Sequence, residues 1–166
     1  MWRCGWGSQQ GASGLVLLLF SYLGLAGTLY MTGIAWFVQL VHYPLLGRNS
    51  SNDFAAFARA YQRGTLWVVI PGLAAELISA PVLIWLWPSL QSWLGLILLG
   101  GIWTLTIICL IPDHLALKHG YCEQRHAALI RFNLPRAILW SMRSLTMLWT
   151  CVSLQVVSPE ITSFIR

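Results

Sequence analysis

The chain has 166 residues, of which 57% are hydrophobic and only 9% charged, and its formal net charge is +5. An average soluble domain has about 25% charged residues, so this composition excludes an ordinary soluble domain and indicates a membrane protein. The positive charges are divided among separate loops, so the net charge is no sign of nucleic-acid binding, and we expect no nucleic-acid partner.

Four apolar stretches are long enough to cross about 30 Å of hydrocarbon as helices, which takes about 20 residues each. They cover residues 15–41, 66–87, 93–111 and 135–157. Closed β-barrels also satisfy the backbone in lipid, but their alternating pattern is absent. We therefore predict an all-α integral membrane four-helix bundle, in which residues 1–166 form a single transmembrane domain.

Two basic amphipathic segments connect these stretches. The first is a short helix that Ser50 or Ser51 can cap and that ends at about Arg63, and the second runs from Asp113 to Phe132. The first has apolar residues at i, i+3, i+4 and i+7, which is typical of a helix with one apolar face: Phe54, Phe57, Ala58 and Tyr61. We predict that both segments are interfacial helices on the cytoplasmic side.

Lysine and arginine residues sort to one side of the predicted topology. Eight of the ten follow the first or the third stretch: Arg48, Arg59, Arg63, Lys118, Arg125, Arg131, Arg136 and Arg143. The other two, Arg3 and Arg166, lie near the termini. By the positive-inside rule, we predict an inner (plasma) membrane protein whose two termini are both non-cytoplasmic.

The second stretch contains Glu76, the one charged residue between Arg63 and Asp113. A carboxylate there costs at least a few kcal/mol unless it is paired, protonated or facing a polar cavity. Pro71 and Pro81 each remove one backbone donor from the same helix. This pattern predicts a kinked span, with either close helix packing or room for a ligand beside Glu76.

His42 follows the first stretch and His114 follows the third. Both are predicted at the cytoplasmic ends of their helices, and Glu76 is predicted in the cytoplasmic half of the bundle. The functional interpretation is a metal site formed by His42, His114 and Glu76, because imidazole and carboxylate suit iron, copper or zinc. Iron or haem would then be the cofactor. The alternative is that Glu76 pairs with Arg143 at matching depth, while the histidines lie in the headgroup region.

A second candidate lies in the basic segment before the fourth stretch. His119, Glu123 and His126 share one helical face, and Glu123-x-x-His126 has the form of half a di-iron carboxylate motif. Such a site needs two of these motifs and further carboxylates, and the chain has five acidic residues in total. The pattern therefore favours the polar face of a solvated amphipathic helix.

The stretch from Trp36 to Pro44, WFVQLVHYP, resembles a widespread group of small, mostly uncharacterised four-helix bacterial membrane proteins. The similarity continues in Pro71…Glu76-Leu77, Pro112-Asp113-His114…Gly120 and Asn133-Leu134-Pro135-Arg136…Trp140…Arg143. More distantly, the layout is similar to anthrone-oxygenase-like membrane proteins, which act on hydrophobic polycyclic aromatics. That resemblance implies these functional positions: His42, Glu76, His114, Asn133 and Arg136.

Two functions remain open from the sequence. The first is an oxidoreductase or oxygenase-type enzyme for a lipophilic substrate, in which His42 and His114 hold a metal or transfer protons. Arg136 or Arg143 would stabilise an oxyanion. The second is a non-enzymatic assembly or pigment-associated subunit that packs against other membrane proteins or a second copy. Membrane lipids are partners in either case, and a channel is disfavoured because one intramembrane acid makes a poor water path.

Overall fold

The computed structural model describes residues 6–48 and 54–157, and within them 93% of residues are helical and none is in a strand. In this part of the chain four helices are long and apolar enough to cross a membrane: Ser13–Leu46, Phe54–Leu86, Leu90–Leu117 and Glu123–Val156. We call them spans 1 to 4. The prediction of an all-helical chain with four helices able to span a membrane is confirmed.

Spans 1 and 3 change from α-helix to π-helix and back before they end. The elements in chain order are α1 (Trp6–Phe37), a π-helical segment (Val38–His42), α2 (Tyr43–Leu46), α3 (Phe54–Leu86), α4 (Leu90–Leu105), a second π-helical segment (Thr106–Leu110), α5 (Ile111–Leu117) and α6 (Glu123–Val157). Pro44 and Pro112 are the second residues after these wider turns. Proline has no N–H to offer the carbonyl four residues earlier, and in a π-helix that carbonyl bonds to the residue five positions later.

The two segments that the sequence predicts as separate interfacial helices belong to longer helices. Residues 54–63 are the first part of α3, which continues through Pro71 and Pro81 to Leu86. Residues 113–117 end span 3, and residues 123–132 begin α6, which contains Pro135 in its interior. The helices therefore begin before the apolar stretches that start at residues 66 and 135: α3 begins at Phe54 and α6 at Glu123.

Between α5 and α6 the chain turns at Gly120, whose φ of 155° favours glycine. Several residues used in the sequence predictions lie outside the described residues. They are the proposed cap residues Ser50 and Ser51 and the terminal arginines Arg3 and Arg166.

Span 1 lies against both span 2 and span 4, and span 4 also lies against span 3. Spans 2 and 3 follow each other in the chain but contact each other only sparsely. One apolar cluster joins spans 1, 2, 3 and 4 around Met31, Ala80, Ile102 and Trp140. The sparse contact between spans 2 and 3 leaves space on one side of this cluster.

Small residues bring α1 and α3 into close contact. A Cβ atom at Gly27 would lie 2.8 Å from the Cβ of Ala75, and one at Gly72 would lie 2.7 Å from the Sδ of Met31. Side chains larger than glycine would therefore push the two helices apart. This close packing places Thr28 of α1 beside Glu76 of α3.

Candidate functional site

The interior carboxylate pairs with the interior guanidinium. Arg143 Nε donates to Glu76 Oε2 at 2.6 Å, and Arg143 Nη2 also contacts that oxygen. Thr28 Oγ1 donates to Glu76 Oε1, and Arg143 Nη1 donates to the carbonyl of Gly95. Both Glu76 oxygens therefore have partners, and the side chains of Glu76 and Arg143 are 0% and 1% exposed.

The cavity that reaches this ion pair among the described residues is small. The space beside Arg143, next to Gly95 and Thr150, has a volume of about 10 Å³. That is close to the minimum of roughly 10–15 Å³ that one water molecule needs. Of the two sequence interpretations of Glu76, the geometry therefore favours a buried ion pair with Arg143 over a substrate-facing carboxylate.

A large cavity lies elsewhere, in the space between spans 2 and 3. Its volume is about 690 Å³, within the range of about 300–1,000 Å³ that is common for small-molecule sites. Residues of all four spans line it, and its walls are mostly apolar, with Met31, Leu73, Ile102 and Trp140 as examples. Glu76 is not among the lining residues.

The polar part of the cavity lining contains Tyr43 and His114, which are hydrogen-bonded to each other. Tyr43 Oη lies 3.0 Å from His114 Nε2, so a proton can be shared between phenol and imidazole. Gln62 Nε2 donates to the carbonyl of His114 at 2.8 Å, which connects span 2 to span 3. Of these three lining residues, the sequence predicted only His114.

Arg136 also lines the cavity, and Asn133 holds it in place. Asn133 is fully buried, and its Oδ1 accepts a hydrogen bond from Arg136 Nε at 3.2 Å. Asn133 Nδ2 donates to Gln39 Oε1 at 2.9 Å and to the carbonyl of Ala35 at 3.3 Å. Asn133 thus fixes span 4 against span 1 and positions the Arg136 side chain. The structure brings the predicted residues Asn133, Arg136 and His114 to one region.

His42 does not line the cavity, but it packs against two tyrosines that do. Its ring stacks on Tyr61 with a centroid separation of 3.7 Å and an interplanar angle of 5°. It also packs beside Tyr43, at 5.6 Å between ring centroids. His42 Nε2 is buried and has no hydrogen-bond partner in the described part of the chain. Both predicted histidines therefore contact Tyr43, but only His114 lines the cavity.

The predicted metal site does not form. Among the described residues, no group of three His, Cys, Asp or Glu side chains is arranged to hold a metal ion. Glu76, the expected carboxylate ligand, has both oxygens engaged by Arg143 and Thr28. His42, His114 and Glu76 therefore do not form the three-ligand metal site that the sequence predicted, and we assign no step to a metal.

The three residues of the second predicted site lie partly on the surface and partly in the interior. His119 and Glu123 are exposed, whereas His126 is 8% exposed. His126 Nε2 lies 2.7 Å from the carbonyl oxygen of Tyr43 and packs against Gly47. His126 therefore connects span 4 to the end of span 1. It belongs neither to a di-iron motif nor to a solvated face.

The sequence did not predict two residues in the polar part of the cavity lining, Tyr43 and Gln62. Tyr43 stands next to His42 in the stretch that carries the family resemblance, and this position was the available signal. Gln62 lies on the predicted amphipathic segment, where nothing distinguished it from a solvated residue.

Comparison with known proteins finds no matching family model, no matching curated protein and no matching solved structure. The resemblance to anthrone-oxygenase-like proteins therefore stays a prediction.

Proposed function

We propose that this chain is a multi-pass membrane protein that takes up a lipophilic small molecule between spans 2 and 3 and transfers a proton at the polar end of the cavity. The observation that carries the proposal is the mostly apolar cavity of about 690 Å³, whose lining includes both Tyr43–His114 and Arg136. A largely apolar pocket with a few convergent polar groups is the usual form of a small-molecule site.

The proposed chemistry uses three residues of the cavity lining. His114 accepts a proton from an acidic C–H or O–H group of the substrate, and Tyr43, at 3.0 Å, stabilises or relays that proton. Arg136 stabilises the negative charge that develops on the substrate oxygen. This covers the proton-transfer part of an oxidoreductase or oxygenase-type reaction.

We propose the following placement in the membrane. The four helices form a bundle in the inner (plasma) membrane, with the basic ends of the spans on the cytoplasmic side and both termini on the other side. Residues 54–63 and 123–132 then lie in the cytoplasmic interface as extensions of spans 2 and 4. Arg59, Arg63 and Arg125, all exposed, support this placement because cytoplasmic loops are enriched in such residues.

Binding is tested with decylubiquinone, a lipophilic quencher of tryptophan fluorescence, on the protein in nanodiscs. Trp103 and Trp140 line the cavity, so we expect saturable quenching. Leu73→Phe fills the cavity and should weaken it about tenfold. Leu77→Phe is the control, because Leu77 is 49% exposed on the same helix. Equal, non-saturable quenching in all three proteins would indicate partitioning into lipid and would contradict the proposal.

Catalysis is tested with anthrone, a polycyclic C–H acid that dioxygen converts to anthraquinone and water. We expect the wild-type protein to accelerate anthraquinone formation over protein-free nanodiscs. Tyr43→Phe and His114→Gln should each lower the rate by about 10²-fold or more. His119→Gln, at an exposed histidine, should leave it unchanged. Saturable binding without acceleration would favour the non-enzymatic assembly or pigment-associated subunit.

A further inference from the structure

The charged residues that line the cavity are all basic. They are Arg59, Arg63, Lys118 and Arg136. Of the acidic residues that the structure describes, Glu76 is paired with Arg143, Asp113 with Arg125, and Glu123 is exposed. None of these three acids lines the cavity. A mostly apolar cavity is therefore combined with a positive charge that the described residues leave uncompensated.

Arg136 is the most informative of these four cations. It lies in the interior of α6, between the buried residues Asn133 and Trp140. In the described part of the chain its hydrogen-bond partner is the neutral amide of Asn133, and it has no ion-pair partner there. An arginine inside a membrane helix normally pairs with an acid or faces a polar cavity. Arg143 follows the first rule, and Arg136 lies in the polar part of the cavity lining, together with Tyr43 and His114.

Two other cations of the cavity lining lie where spans 2 and 3 contact each other. Arg59 Nη1 donates to the carbonyl of Lys118 at 3.1 Å, so spans 2 and 3 meet where these two cations lie. Trp103 and Trp140 also line the cavity, but their indole N–H groups are buried and are not part of this set. Arg59, Lys118 and Arg136 are cations, and an oxyanion is the ligand group that pairs with cations.

We propose that the ligand of this cavity is an anionic amphiphile, with an oxyanion head (carboxylate or phosphate) bound by Arg136 and Lys118 and a lipophilic body along the apolar wall. This inference rests on the proposed function and names its substrate class. Guanidinium groups bind carboxylates and phosphates through paired hydrogen bonds, whereas an ammonium acts as a point charge. Arg136 is therefore expected to contribute more than Lys118.

The test compares two quenchers that differ only in the head group. 12-Bromododecanoic acid and 12-bromododecanol carry the same bromine, which quenches tryptophan fluorescence, and the same chain. At a pH that ionises the acid, we expect wild-type protein in neutral-lipid nanodiscs to bind the acid about tenfold more tightly than the alcohol. 12-Bromododecyl phosphate, as a third arm, distinguishes a phosphate preference from a carboxylate preference.

Variants assign the preference to the cavity. Arg136→Gln should reduce the acid-to-alcohol ratio to about one, Arg136→Lys should keep part of it, and Lys118→Gln should lower it by a smaller factor. Arg131→Gln is the matched control, because Arg131 is exposed on the same helix and does not line the cavity. If Arg136→Gln fails to fold, Lys118→Gln and Arg136→Lys still report on the preference.

The outcomes separate the two proposals. Saturable, equal binding of acid and alcohol would overturn the anionic ligand and leave the proposed binding function intact. An absence of saturable binding for every quencher would overturn both. An acid preference that is unchanged in Arg136→Gln and Lys118→Gln would place the anion elsewhere and also overturn this inference.

Discussion

Arg143 Nε lies 2.6 Å from Glu76 Oε2, so the interior carboxylate of span 2 faces the interior guanidinium of span 4. Thr28 of span 1 and the Gly95 carbonyl of span 3 complete the arrangement. One polar centre therefore connects all four spans. Because it is separate from the cavity, we expect it to contribute to folding and not to ligand binding.

The first prediction concerns this ion pair. Glu76→Gln and Arg143→Met should each lower the free energy of unfolding by about 3–5 kcal/mol, because each leaves a buried partner without its counter-charge. The double variant Glu76→Leu/Arg143→Met should lose less than the sum of the two. Unfolding in mixed detergent micelles, arranged as a double-mutant cycle, measures this. A Glu76→Gln protein of normal stability that had lost anthrone turnover would contradict a structural role.

The second prediction tests the close approach of spans 1 and 2. Gly27→Ala should lower the free energy of unfolding by about 1–3 kcal/mol, because the new Cβ would lie 2.8 Å from the Cβ of Ala75. Gly33→Ala is the matched control in the same helix, since nothing lies within 4 Å of its added Cβ. It should be neutral or slightly stabilising, given the higher helix propensity of alanine. Equal effects of the two substitutions would argue against tight packing at Gly27.

The third prediction concerns His126. His126→Ala removes a buried partner from the Tyr43 carbonyl and should lower the free energy of unfolding by about 1–3 kcal/mol. His119→Ala should change it by less than about 0.5 kcal/mol, as is usual for exposed positions. Thermal unfolding of the three proteins in one detergent makes the comparison. A larger effect at His119 than at His126 would reverse the assignment.

The fourth prediction concerns orientation in the membrane. Cys122 is exposed in the turn between spans 3 and 4, which we propose to be cytoplasmic. In a Cys4→Ser background, a membrane-impermeant maleimide should label Cys122 in inverted vesicles but not in intact spheroplasts. A Cys122→Ser variant controls for the half-buried Cys109 and the buried Cys151. Labelling of Cys122 in spheroplasts would reverse the proposed topology.

Some of these features could be predicted from the sequence because they depend on local composition. Four apolar stretches predict four helices, and Glu76 and Arg143 lie at matching depths, so their pairing was one of two stated interpretations. The starts of the helices were harder to predict from the sequence, because apolar periodicity continues through residues 54–66 without a helix-breaking residue other than Gly64.

The cavity could not be predicted in this way. It exists because consecutive spans 2 and 3 contact each other only sparsely, and such a gap has no local sequence pattern. The burial of Tyr43 and His126 has no local sequence pattern either. It depends on how spans 1 and 4 are rotated against each other, and composition does not encode that rotation.

The π-helical segment Val38–His42 has a consequence for how this chain tolerates insertions and deletions. Successive residues of an α-helix are about 100° apart around the axis, and a π-helical turn holds an extra residue. Because the π-helical turn takes up its extra residue locally, removing one residue from this segment should restore a regular α-helix with little rotation of Tyr43. Removing one residue from the α-helical part of span 1 would instead turn the residues on one side of the deletion by about 100° relative to those on the other. The five residues Val38–His42 are thus a place in span 1 where the loss of one residue should leave the contact between Tyr43 and His114 intact.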